Sequence, residues 1–227
     1  MENRYDDKLR EGNQLIIDLS PANYTERIIS SLELKNALGG ANGNMLEIGI
    51  GEGDLTKYIF KYNPEISLDA VDISPEMIEI AKRNLSVHAR QVQYFCEDAF
   101  TFLRNNAKQY DAIISSWVIH NFKQADKLDL FREIFAKLKD DGAFILFDKI
   151  YPDDENESER LFDLQIKRYD YLEGNLRREI ISHEKQDFTP DYRMDEAGVL
   201  QTLKDIGFKD FKIADRVERD VVLVAKK

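Results

Sequence analysis

Between Met45 and Ile150 the chain alternates short apolar runs with amphipathic stretches, and that rhythm leaves few folds open to it. The runs are Met45–Ile50, Ser67–Ile73, Val92–Phe95, Tyr110–Val118 and Ala143–Ile150. Strands this apolar suit a parallel sheet covered on both faces. Helix signals lie between them. Ser74-Pro75 reads as an N-cap and first helical residue, with Met77, Ala81 and Leu85 following at four-residue steps. Leu128, Phe131, Phe135 and Leu138 mark a second buried helix face, closed by Asp140-Asp141-Gly142. Strand and helix in strict alternation predict an α/β protein with a doubly wound, Rossmann-like sheet.

The flanks divide the chain further. Residues 1–44 read as an N-terminal helical cap, with a helix over Thr25–Leu38, and 45–150 as the ligand-binding core. Residues 151–195 read as a helical insertion or lid after the fifth strand. It opens with an acid-rich turn at 153–159, taken as solvated surface, and continues as a helix over Leu161–Leu172. In 196–227, Val199, Leu203 and Ile206 form a helix stripe closed by Gly207, and Phe208–Ala214 with Asp220–Ala225 read as a closing strand pair. All four parts are expected to form one domain of 227 residues.

Composition narrows the function. The formal charge of −11 repels a phosphate backbone, so nucleic acid is not the expected partner. No apolar run reaches the ~18 residues of a bilayer span, and the start of the chain lacks a signal-peptide pattern. Cys96 is the only cysteine, which excludes intramolecular disulfides and multi-cysteine metal sites. The expectation is a cytoplasmic monomer or homodimer acting on a small molecule, with no metal site.

The chemistry is written in Glu47-Ile48-Gly49-Ile50-Gly51-Glu52-Gly53-Asp54, at the end of the first strand. Glycines there permit a tight turn and close approach of backbone to ligand. Asp72 ends the second run, and it follows Gly53 at close to the ~20-residue interval of a ribose-binding carboxylate. The third glycine comes one residue earlier than a dinucleotide fingerprint requires. Glu47, Glu52 and Asp54 surround the turn with negative charge, which suits a sulfonium or an ammonium better than a pyrophosphate.

On these residues, with Asp98 in Cys96-Glu97-Asp98-Ala99-Phe100 and the segment Tyr110–Ser116, the chain resembles the class I S-adenosylmethionine-dependent methyltransferases, of small-molecule type. The resemblance implies a seven-stranded, mostly parallel sheet whose last strand runs antiparallel between the fifth and sixth. It implies S-adenosylmethionine as cofactor. Glu47, Gly49, Gly51 and Gly53 would face its methionine part, Asp72 beside Ile73 its ribose, and Asp98 beside Ala99 its adenine. Ser115 and Trp117 would line the same site, and Tyr24 would close over it. Asp72 and Asp98 also have the position of helix caps.

The stretch Trp117-Val118-Ile119-His120-Asn121-Phe122 resembles the Trp-x-x-His-Asp-Trp segment of plant-type O-methyltransferases, with Asn121 and Phe122 departing from it. The resemblance makes His120 a general base or a residue that packs beside the cofactor. An unperturbed pKa near ~6.5 suits the first role. His88 is expected on a solvated connection. His183, near Arg177, Arg178, Tyr192 and Arg193, is expected on a solvated charged helix or on a lid that recognises an anionic substrate. The expected reaction is methyl transfer to a hydroxyl or amine. A tRNA or protein acceptor, or carboxyl attachment to the same cofactor, stand as alternatives.

Overall fold

The computed structural model describes residues 43–227. Within them, seven strands form one sheet. They are β1 (Asn44–Ile48), β2 (Ser67–Asp72), β3 (Val92–Cys96), β4 (Tyr110–Ser116), β5 (Leu138–Lys149), β6 (Lys209–Val217) and β7 (Asp220–Lys226). The order is β3-β2-β1-β4-β5-β7-β6. The pairs β1–β2, β1–β4, β2–β3 and β4–β5 are parallel, whereas β7 runs antiparallel to both β5 and β6. The expected sheet, including its reversed last strand, is the observed one. The readings for residues 1–42, the Thr25–Leu38 helix and Tyr24 among them, lie outside the described residues.

Alternate residues of each central strand feed two separate cores. Met45, Ala112, Ile114, Ile145 and Val224 pack on one face against α1 (Asp54–Tyr62) and α2 (Pro75–Asn84), through Leu55, Ile59, Ile78 and Ala81. Leu46, Ile48, Ile113, Phe144 and Leu223 pack on the other. Their partners are α3 (Ala99–Asn105), α4 (Gln124–Lys137) and α7 (Glu196–Ile206), through Phe102, Leu130, Ile134, Val199 and Leu203. Two covered faces explain why these strands read as unbroken apolar runs rather than as alternations. The strand order reverses direction at β1, so β1 and β4 diverge from a crevice at their carboxyl ends, where open α/β sheets bind ligands.

Local readings shift in three places. Leu138 opens β5 instead of closing the α4 face, whose buried positions are Lys127, Leu130, Phe131 and Ile134. The acids at 153–159 are not a turn: α5 spans Glu155–Arg168, and Asp154 caps it by accepting from the Glu157 N–H at 2.8 Å. Glu155 and Glu157 complement the positive end of the helix dipole, so an acidic run favours a helix start there. A further helix, α6 (Gly174–Asp187), follows, and it is not a solvated one. Its Ile180, Glu184 and Asp187 are buried.

Candidate active site

The glycine turn is held from two sides. Asp72, at the end of β2, accepts the Gly51 N–H on one carboxylate oxygen and the Ser74 N–H on the other, both at 2.9 Å. Gly49 donates its N–H to the Val71 carbonyl at 2.7 Å. Gly49 has φ +77°, and a Cβ built on it would lie 2.2 Å from Val118 Cγ2. Only glycine lets the loop after β1 meet the loop after β4 so closely. Around Gly51 (φ +53°) a Cβ would meet nothing within 4 Å among the described residues.

Glu47 is buried beneath this turn and accepts the Thr56 hydroxyl at 2.5 Å. Burial pushes its carboxyl up to about 8; Thr56 opposes the rise and the charge of Asp72 adds to it. Burial also raises Asp72, against the backbone N–H groups it accepts from Ser74, Gly51 and Ile73. Both carboxyls would gain from a cation placed between them. Asp98 is divided. Its Oδ1 accepts the N–H groups of Phe100 and Thr101 at 3.0 and 3.2 Å and so caps α3, while its Oδ2 is buried with no hydrogen-bond partner among the described residues. A buried acceptor left open at a strand end calls for an outside donor. The Ser115 hydroxyl is in the same condition at the end of β4. Ile73 stays 40% exposed beside Asp72, an apolar surface at the mouth of the crevice, and Ala99 is half-buried next to Asp98.

The turn after β4 carries strain and chemistry together. Trp117 adopts φ +56°, a left-handed conformation that is costly for a bulky side chain and that gathers at functional sites. Its N–H donates to the Phe147 carbonyl at 2.8 Å. Three residues on, His120 is buried, with its ring edge-on to Trp117 at 6.0 Å. Asp148, fully buried on β5, receives both the His120 N–H (3.1 Å) and the His120 Nδ1 (2.6 Å). Burial would raise the Asp148 carboxyl, but the His120 charge and hydrogen bond, with the Lys149 and His120 N–H groups, hold it below the usual carboxylate range. An ionised Asp148 only accepts, so Nδ1 donates a proton toward it. Nε2 points toward Asp187 Oδ2, 3.9 Å away, and His183 Nε2 lies 3.5 Å from that same oxygen.

Behind this dyad sits a buried charge cluster. Lys149 Nζ bonds Asp187 Oδ2 at 2.8 Å and Glu184 Oε1 at 3.2 Å, and Arg219 clasps Glu184 with contacts of 2.6 and 3.0 Å. Tyr169 donates its hydroxyl to Glu184 at 3.0 Å, and Arg219 donates to the Tyr151 hydroxyl at 2.7 Å. The cluster fastens α6 to β5 and to the β6–β7 turn. Opposite charges offset the burial penalty: Glu184 and Asp187 are held well below, and Lys149 well above, their usual ranges.

Glu47, Gly49, Gly51, Gly53, Asp72, Ile73, Asp98, Ala99, Ser115, Trp117 and His120 thus lie at or just beyond the carboxyl ends of β1 to β4. His88 lies elsewhere, half-buried and stacked on Phe60 at 4.2 Å, not solvated as expected. His183, expected on a solvated helix, is half-buried beside His120, with ring centroids 6.2 Å apart. Asp148, Lys149, Glu184, Asp187 and Arg219 escaped the sequence reading. The available signal was Asp148-Lys149, a charged pair inside an otherwise apolar strand.

Residues 45–142 match the family model described as a methyltransferase domain. Residues 45–142 are a methyltransferase domain. The chain is 35% identical, over 127 residues, to malonyl-[acyl-carrier protein] O-methyltransferase of Halalkalibacterium halodurans. That match covers 55% of this chain and 45% of the relative. It is 21% identical to carboxy-S-adenosyl-L-methionine synthase of Campylobacter lari, over 82% of this chain and 78% of that protein. Human N-acetylserotonin methyltransferase, solved with S-adenosylmethionine, superposes with a TM-score of 0.65 at 19% identity, over 97% of this chain and 55% of that one. The chain therefore spans about half the length of the first and third of these proteins.

Proposed function

We propose that the methyltransferase domain transfers a methyl group from S-adenosylmethionine to a hydroxyl of a small molecule, with His120 as general base. The observation that carries this reading is the His120–Asp148 pair. It fixes the imidazole through Nδ1 in the turn after β4, at the same carboxyl end of the sheet as the glycine turn, Asp72 and Asp98. The bound cofactor supplies an electrophilic methyl carbon on a sulfonium.

The other residues at these strand ends account for the rest. Asp98 Oδ2 and Asp72 take donor groups of the adenosine, Ile73 covers an apolar face, and Glu47 answers the cationic end. His120 Nε2 accepts the proton of the attacking hydroxyl. Asp148 and Asp187 then flank the imidazolium with negative charge, which stabilises it as it forms. The strained Trp117 and the bolted α6 fix these groups in place, and alignment of the reacting atoms supplies a large part of the rate. In this reading residues 151–195 form the wall over the acceptor. Their acidic opening at 153–159 argues against an RNA acceptor. An exposed Cys96 thiol suits a reducing, cytoplasmic setting.

Carboxyl attachment to the cofactor, the reaction named for the Campylobacter relative, is the second reading. It calls for a cation at the methyl end, where Lys149 is already balanced by Glu184 and Asp187. Methyl transfer is therefore preferred. Incubation with methyl-labelled S-adenosylmethionine and a panel of small hydroxy compounds and amines tests it. Label moving into a hydroxyl product, with S-adenosylhomocysteine accumulating, supports the reading. Cofactor that gains a carboxyl group and keeps its methyl-derived carbon on sulfur overturns it.

A further inference from the structure

His120, His183 and Asp187 each present one ligand atom, and all three atoms lie within 4.8 Å of one another. We propose that they form a site for one divalent transition-metal ion, for which Zn²⁺ is the probe, and that this ion competes with the proton of the acceptor hydroxyl for His120 Nε2. Only that second clause rests on the methyl-transfer reading.

Three observations support the site. His183 and Asp187 stand four residues apart on α6, so both project from one helix face. His120 meets them from the turn after β4, on a separate element. Zinc bonds imidazole nitrogen and carboxylate oxygen at about 2.0–2.2 Å, which places neighbouring ligand atoms about 3.4 Å apart around a tetrahedral ion. Asp187 Oδ2 lies 3.5 Å from His183 Nε2 and 3.9 Å from His120 Nε2, near that spacing, and all three ligand atoms lie within 4.8 Å.

The surroundings fit a nitrogen–oxygen metal site. A metal-bound histidine characteristically donates its other ring N–H to a carboxylate, which fixes the tautomer and raises ligand basicity. Asp148 does this for His120 at 2.6 Å. Lys149 already bonds Asp187 Oδ2, but a carboxylate offers about four acceptor positions, and Lys149 keeps a second anchor on Glu184. Two histidines and one carboxylate leave a fourth position for water or for a donor atom of the acceptor, the open arrangement of reactive rather than structural sites. The residues are scattered over 120, 183 and 187, which is why no linear metal motif announces them.

The consequence for the reaction is direct. Nε2 has one lone pair, and an ion that takes it removes the base, so Zn²⁺ should inhibit methyl transfer at the concentration at which it binds. The test uses the full chain in a Cys96→Ser background, which removes the exposed thiol as a competing ligand. Calorimetric titration with Zn²⁺ and visible absorption with Co²⁺ read binding without reference to activity. The expected result is one ion per chain. His183→Gln and Asp148→Asn should each weaken binding by at least about tenfold. His88→Gln, on the remaining histidine, should leave it unchanged.

Absence of saturable one-to-one binding, or binding indifferent to His183→Gln, overturns the site. Binding with undiminished methyl transfer overturns the competition. Stabilisation by S-adenosylhomocysteine without Zn²⁺ binding sinks the metal site and leaves the methyl-transfer reading standing; Zn²⁺ binding without that stabilisation does the reverse.

Discussion

Asp148 Oδ1 lies 2.6 Å from His120 Nδ1, and the same carboxylate receives the His120 backbone N–H at 3.1 Å, so one buried acid sets both the position and the tautomer of the histidine. In the proposed reaction this pair orients His120 as the base. His120→Ala removes the lone pair and should lower kcat by roughly 10²–10⁴-fold. Cofactor affinity should be nearly unchanged, because the residues proposed to hold the adenosine lie at the ends of β1 to β3. Single-turnover rates and cofactor titration on the variant check both halves, and a rate loss under tenfold would return His120 to a packing role.

Asp148→Asn probes the orienting acid. An amide of the same shape offers Nδ1 a donor as readily as an acceptor and carries no charge to balance the imidazolium. The rate should fall by at least about tenfold. The limb of the pH–rate profile that reports His120 should move toward lower pH, because the charged form loses a carboxylate partner. A fall in rate with an unmoved profile would make Asp148 merely structural.

Glu47 links cofactor binding to pH. Its folded-state pKa, raised to about 8 from 4.5, means that its contribution to stability is fully present below pH 4.5 and is lost as pH rises through about 8. A cationic ligand favours the ionised form, so binding should release a proton, and S-adenosylmethionine affinity should rise between about pH 6 and about pH 8. Glu47→Gln should abolish that slope and should gain stability relative to wild type over the same interval. Calorimetric titrations in buffers of different ionisation enthalpy measure the proton directly. Equal slopes for the two proteins would remove Glu47 from the cofactor site.

Lys149→Ala tests the charge cluster that fastens α6. Removing the ammonium leaves Glu184 buried with Arg219 and Asp187 buried with His120 and His183 near it, a defect that costs about 3–5 kcal/mol when one partner of a buried pair is lost. Urea unfolding should show the midpoint shift, and a loss below about 1 kcal/mol would mean that water reaches the cluster.

The sheet could be read in advance because its strands are covered on both faces, which leaves runs such as Ala143–Ile150 almost wholly apolar. The residues proposed for the cofactor were equally visible in their placement, since the glycine turn, Asp72 and Asp98 stand at successive strand ends. The acceptor side was hidden. Asp148, Glu184, Asp187 and Arg219 acquire meaning only when β5, α6 and the β6–β7 turn meet, and spacing along the chain does not encode that meeting. The helix at Glu155 was missed because acids at a helix start resemble a solvated acidic run until Asp154 is seen capping it. Leu138 was placed on a helix because a leucine at helical spacing can equally begin the next strand.

Asp72→Ala addresses the cofactor cradle, since it removes acceptors for the ribose and the brace on the Gly51 N–H together. Charge-assisted hydrogen bonds contribute about 1.5–3 kcal/mol each, so S-adenosylhomocysteine affinity should drop by at least about tenfold. Unchanged affinity would remove Asp72 from the ribose site.

The central claim, that this crevice holds S-adenosylmethionine, is tested most directly by thermal unfolding with S-adenosylmethionine, S-adenosylhomocysteine or NADH in excess. A ligand at 100 times its Kd stabilises by about 2.7 kcal/mol, or roughly 5–11 °C for a chain of this size. The account predicts a rise in Tm with the two sulfur ligands and none with NADH. No rise with the sulfur ligands, or a rise with NADH alone, would contradict it.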